Sequence, residues 1–109
     1  MIEGFPDRAI VIVDLINPKE KLWGVLRSLS QAGISIHSIN LDSFEDWARQ
    51  IAKGEEHNLD LATTFIPLFR VVRLSLDEPI GDLGSYAQRF AQIVGVSPEE
   101  FLGIIESNQ

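Results

Sequence analysis

The sequence predicts a mainly β fold with helical additions: a small five-stranded barrel carrying an inserted helix and a C-terminal helical pair. Three observations lead there. Residues 63–76 read as β throughout, except for Pro67 near the middle. Proline has no N–H to give a ladder, so this run predicts two strands meeting at a corner. Residues 9–16 are almost wholly apolar and β-branched, broken only by Asp14, which suits a strand buried on both faces. Gly24 lies inside an apolar stretch, residues 21–29, where a sharply curved strand wants a glycine.

The elements follow in order. Asn17-Pro18-Lys19-Glu20 breaks the first strand, and two readings of the next segment are open. In one, Asn17 is an N-cap, Pro18 sits at N1, and Glu20 completes a capping box for a helix presenting Leu22, Val25, Leu26 and Leu29. In the other, residues 17–20 are a hairpin turn and 21–29 a bent strand, with a second turn at 30–33. Local capping signals favour the helix, although Gly24 costs it about 1 kcal/mol relative to alanine. The long β segment around Pro67 favours the strand, because a barrel needs that segment and a helix-backed sheet leaves it unexplained. The barrel reading is therefore adopted.

Residues 34–41 form the next strand. A change of apolar phase between Ile36 and Ile39 predicts a bulge near His37-Ser38. Asp42 or Ser43 can cap a helix near residues 44–53, with Phe44, Trp47, Ala48 and Ile51 on its inner face. Residues 53–58 are a polar loop. After the Pro67 segment, Ser85 with Gln88 at N3 opens a helix that Gly95 ends, and Ser97-Pro98 starts another, with Phe101, Leu102 and Ile105 able to pack. The expected division is a β body over residues 1–78 and a helical appendage over 79–109 packing on it.

Composition narrows the function classes. With 109 residues and 45% hydrophobic side chains, the chain can bury a core. Its net charge of −7, from 16 acidic and 9 basic groups, repels phosphate and disfavours RNA as a partner. The absence of cysteine excludes disulfides, thiolate catalysis and thiolate-held zinc. No apolar run approaches the roughly 20 residues that span a bilayer, and the N-terminus lacks signal-peptide features. The expectation is a cytoplasmic protein without cofactor or membrane partner.

Candidate chemistry is sparse. His37 and His57 share no metal-ligand spacing, and structural roles outweigh a ligand or base. Asp42, Glu45 and Asp46 suit the start of a helix. With no phosphate loop, nucleophile elbow or paired-carboxylate motif, the chain is read as non-enzymatic. Trp23 and Trp47 are expected in core or interface. Arg70 and Arg73 flank the corner; salt bridges to the many acids outweigh an anion or partner contact. The candidate binding or interface positions are His37, Asn40, Phe65, Arg70, Val71 and Arg73.

Two family resemblances bear on this. Gly24-Val25-Leu26-Arg27-Ser28-Leu29-Ser30 resembles the first motif of the Sm-like (SH3-like) small barrels, and residues 66–74 have the spacing of their second motif, strand to strand through a tight turn. The chain departs at Ser30, where the family is acidic, and at Pro67-Leu68, where it has Arg-Gly. Those positions usually hold RNA bases. This resemblance implies a barrel and a homo-oligomer in which strand four pairs with a neighbour's strand five, through an apolar edge around Phe65 and Val71. Residues 11–41, with Ala32-Gly33-Ile34-Ser35-Ile36, are also similar to the opening of an ACT domain, a ferredoxin-like α+β module. That alternative implies a small-ligand sensor with its site near residues 14–20.

Overall fold

The computed structural model describes residues 4–54 and 58–103. It contains β1 (Ile10–Leu15), β2 (Glu20–Leu29), β3 (Gly33–Asn40), β4 (Ala62–Pro67) and β5 (Val71–Leu76), in one antiparallel sheet of order β4-β3-β2-β1-β5. Helix α1 (Phe44–Ala52) lies between β3 and β4, and α2 (Tyr86–Val94) and α3 (Pro98–Phe101) follow β5. The protein is thus α+β, with five strands and three helices among the described residues.

Residues 20–29 are a strand, which overturns the capped-helix alternative. Asn17 has φ 55°, a left-handed turn conformation, whereas an N-cap requires an extended one. A strand also uses both sides of this segment. Leu22 and Leu26 join one apolar cluster and Trp23 joins the other. β2 pairs with β1 through residues 20–25 and with β3 through 22–29. Gly24 sits opposite Ser38, where an added Cβ would lie 2.1 Å from the His37 carbonyl oxygen. Only glycine lets the two backbones come this close.

The corner at Pro67 is present. β4 ends opposite Gly33, a 3₁₀ turn runs over Leu68–Arg70, and β5 begins opposite Leu15. β4 and β5 occupy opposite edges of the sheet. Laid flat, those edges would be about 19 Å apart at 4.8 Å per strand, while three residues of 3₁₀ turn rise only about 6 Å. The sheet therefore curls. It does not close into the expected barrel: β4 pairs with β3 and β5 with β1, and no ladder joins β4 to β5 among the described residues. The reason is the corner itself. β5 continues β4 end to end around a bend, so the two strands never lie side by side.

Two smaller expectations are corrected. The β2–β3 register runs unbroken past His37 and Ser38; the irregularity falls on β2, between Leu26 and Ser28. The apolar phase changes because β3 is covered on both faces. Ile34 and Ile36 enter the inner cluster, and Ile39 packs with α1. Ser43 takes the N-cap position of α1, as expected, but its side chain makes no capping hydrogen bond. Asn40 instead accepts the Asp42 N–H at 2.9 Å and caps the short 3₁₀ turn that precedes it. The Ser85–Gln88 capping box and the Ser97 cap form as the sequence predicts, and Gly95 ends α2. Of the C-terminal apolar trio, Ile105 lies outside the described residues.

Apolar residues fill both faces of the sheet. Inside the curl, Val11, Val13, Leu15, Leu26, Ile34, Ile36 and Ile66 form one core. On the outer face, Trp23, Ile39, Trp47 and Phe90 form another, roofed by α1 and α2. Trp23, Trp47 and Phe90 are fully buried. Ring centroids lie 4.9 Å apart for Trp23–Phe44 and 5.1 Å for Trp47–Phe90. Such pairs contribute about 0.5–1.5 kcal/mol each beyond their buried area. Asp77 fastens the helical segment to the sheet. It accepts the Trp23 indole N–H at 2.9 Å, the Ala87 N–H at 2.7 Å and the Tyr86 N–H at 2.9 Å.

Candidate functional site

The six sequence-derived positions do not converge on one site. Arg70 is a structural tie. Its Nε donates to the Ile16 carbonyl at 3.0 Å, and its Nη2 donates to the Pro18 carbonyl at 2.9 Å and to Glu20 Oε1 at 2.7 Å. These bonds hold the β4–β5 corner against the β1–β2 turn, and the Ile16 N–H to Arg70 carbonyl bond at 2.9 Å reinforces them. Arg73 is exposed on β5 in register with Asp14, across from Lys21 on the other side. Val71 packs against the inner core opposite Leu15 rather than lying exposed. Asn40 serves as the cap already described. His57 lies outside the described residues.

His37 and Phe65 do share a surface. His37 Nδ1 is 2.9 Å from Thr63 Oγ1, across the β3–β4 ladder. Thr63 and Phe65 alternate with the inward-facing Ile66 and so stand on the outer face. Phe65 is 54% exposed. Past it, Leu68 and Phe69 project from the corner turn, with Phe69 78% exposed, and Val72 follows at 57%. Sequence reasoning missed Leu68, Phe69 and Val72. The available signal was charge: 23% of the chain is charged, yet residues 61–69 carry no charged side chain.

Among the described residues, the backbone of β4 is open on one side. The Leu68 N–H bonds the Ala32 carbonyl at 3.0 Å, and the Ile66 carbonyl points at Gly33. Strand alternation then directs the polar groups of Ala62, Thr64 and Ile66 toward β3, and those of Thr63 and Phe65 away from the sheet. Leu61, next in that outward series, has its N–H accepted by its neighbour's Asp60 carboxylate at 2.8 Å. The β5 edge differs. The Asp77 N–H bonds the Ile10 carbonyl, so Ser75 and Arg73 turn toward β1 and Leu74 and Leu76 turn outward. The β1–β5 register also breaks at Asp14/Leu15, making Val72 an extra residue on β5.

Elsewhere, a cavity of about 540 Å³ opens between Ile12, Lys21, Asp77, Ile80, Leu83 and Tyr86. Its Asp77 carboxylate is committed to Trp23 and the start of α2. Between α1 and α2, Glu45 accepts from Arg89 and, at 2.9 Å, from Arg49. The hydrogen bond from Arg89, with help from Arg49, holds the Glu45 carboxyl below its ordinary value of 4.5, and the same contact raises Arg89. Among the described residues no three His, Asp or Glu side chains gather as metal ligands, and no helix is long and apolar enough to cross a membrane.

The chain matches no family model, no curated protein and no solved structure.

Proposed function

We propose that this protein is a non-enzymatic assembly module that self-associates through the edge of its curled sheet. The observation that carries this reading is the β4 edge: a six-residue strand, uncharged, with Phe65 half exposed, in a chain of net charge −7. Protected edges are short, charged, bulged or covered. Among the described residues β4 shows none of these along its length; only Pro67 marks its end. The groups that chemistry would draw on are committed to structure instead, Arg70 to the corner and Asp77 to the α2 start.

Strand order, the Gly24 bend and the Pro67 corner favour an Sm-like architecture as the nearest description. That family's RNA-contacting positions are not reproduced, because Pro67-Leu68 replaces Arg-Gly and Arg70 is bonded to Pro18 and Glu20. With the acidic balance, this ranks RNA binding below self-assembly. A cytoplasmic, homo-oligomeric protein completes the reading. Light scattering coupled to size exclusion, across rising protein concentration, tests it. A mass that climbs above one chain is the expected result, and a constant monomer mass at millimolar concentration would refute self-assembly.

A further inference from the structure

Resting on that reading, we infer a specific partner and register: β4 pairs antiparallel with β4 of a second copy, about a two-fold axis at Thr64. The argument starts from strand direction. An antiparallel sheet with five strands has outer strands that run the same way, so β4 and β5 are parallel across the sheet. Adding a neighbour's β5 antiparallel to β4 therefore turns that neighbour over. The outward polar groups show the same mismatch. On β4 they belong to Thr63 and Phe65, whose side chains face outside the curl; on β5 they belong to Leu74 and Leu76, whose side chains pack inside it. Directly paired residues share a face. A β4–β5 pairing would thus set Phe65 beside a neighbour's inward-facing leucine.

A two-fold perpendicular to the sheet has no such conflict, because it keeps faces and reverses direction. The outward groups then fix the register. Placing Thr63 opposite Phe65 of the second copy, and Phe65 opposite its Thr63, matches both free N–H groups and both carbonyls of each strand. Centring the axis on Phe65 instead would oppose Thr63 to Pro67, which has no N–H to return. In the chosen register Thr64 faces Thr64, and each Phe65 ring lies over the other copy's Thr63–His37 pair. Electrostatics agrees: two chains of net charge −7 meet along a stretch, 61–69, that carries no charge. An edge contact of this length falls at the small end of specific interfaces, below about 1,200 Å², so the dimer is weak and concentration-dependent.

Cysteine placement tests the register, since the chain has no native cysteine. Non-hydrogen-bonded antiparallel partners sit about 4.5 Å apart at Cα, within disulfide reach. Under mild oxidation at a concentration where the wild type scatters as a dimer, T64C is expected to become mostly disulfide-linked, at least ten times faster than V72C, which places another exposed thiol on the β5 edge. F65K, keeping its far-ultraviolet spectrum, is expected to be monomeric at that concentration. A self-associating wild type with T64C no faster than V72C, or an F65K variant that still dimerises, would overturn the two-fold register and leave edge assembly standing. A wild type that is monomeric throughout, with no T64C preference, would overturn both.

Discussion

Replacing Gly24 by alanine separates the strand from the helix in residues 20–29 by the sign of its effect. In a helix interior the change would stabilise the protein by about 1 kcal/mol. In the curled sheet the new Cβ would meet the His37 carbonyl oxygen at 2.1 Å, Ser38 Cα at 2.5 Å and Ser38 Cβ at 2.7 Å. Ordinary contact begins at 3.4 Å, so β3 would have to retreat by more than an ångström. Two of the three obstructing atoms are backbone, which no rotamer change can move. A retreat of that size breaks ladder bonds on either side of Gly24. Overpacking costs about 1–3 kcal/mol, and two lost backbone bonds about 1 kcal/mol each, giving a destabilisation of about 3–5 kcal/mol. Urea titration followed by tryptophan fluorescence measures it directly, because Trp23 is the neighbouring residue and fully buried. The expected midpoint falls, with a melting temperature lower by roughly 10–20 °C for a domain of this size. A neutral or stabilised G24A would refute the close approach of β2 and β3, and with it the curl.

Other consequences follow from single contacts. Arg70→Ala removes three hydrogen bonds between the corner and the β1–β2 turn, at an expected cost of about 2 kcal/mol in denaturant titration. Arg70→Lys should recover only part of that, since an ammonium cannot reproduce the planar fork that reaches Ile16, Pro18 and Glu20 together. Glu45→Gln tests the clip between α1 and α2. The folded Glu45 carboxyl titrates below its ordinary value, so its contribution is present above pH 4.5 and fades as pH falls through the depressed value. The variant should melt below the wild type at about pH 7, and the gap should narrow as pH is taken down below 4.5; a gap that does not change with pH would show that the charge is irrelevant.

How much of this was legible in the sequence depended on whether a signal was local. The Ser85–Gln88 box, the Ser97 cap and the Pro67 corner were readable because each rests on a residue and its near neighbours. Asn17-Pro18-Glu20 misled for the same reason. As local chemistry it caps a helix, but Trp23 and Leu26 are claimed from opposite faces by two cores, and that long-range demand wins. The supposed bulge at His37-Ser38 failed likewise, since nothing in β3 itself reveals that α1 will cover Ile39. Barrel closure was not legible, because a corner and a closing ladder present the same residues. At the candidate edge, Phe65 was readable from its place in the strand. Arg70 was singled out by scarcity of positive charge, while its carbonyl partners at Ile16 and Pro18 emerge only once the turn folds beneath it.

Amide hydrogen exchange across β4, at low and at high protein concentration, tests the central claim most directly. The Thr64 and Ile66 amides face β3 and should be protected at both concentrations, whereas Thr63 and Phe65 should exchange quickly in dilute protein and slow markedly as concentration rises. Rapid exchange of Thr63 and Phe65 at every concentration would contradict assembly through this edge.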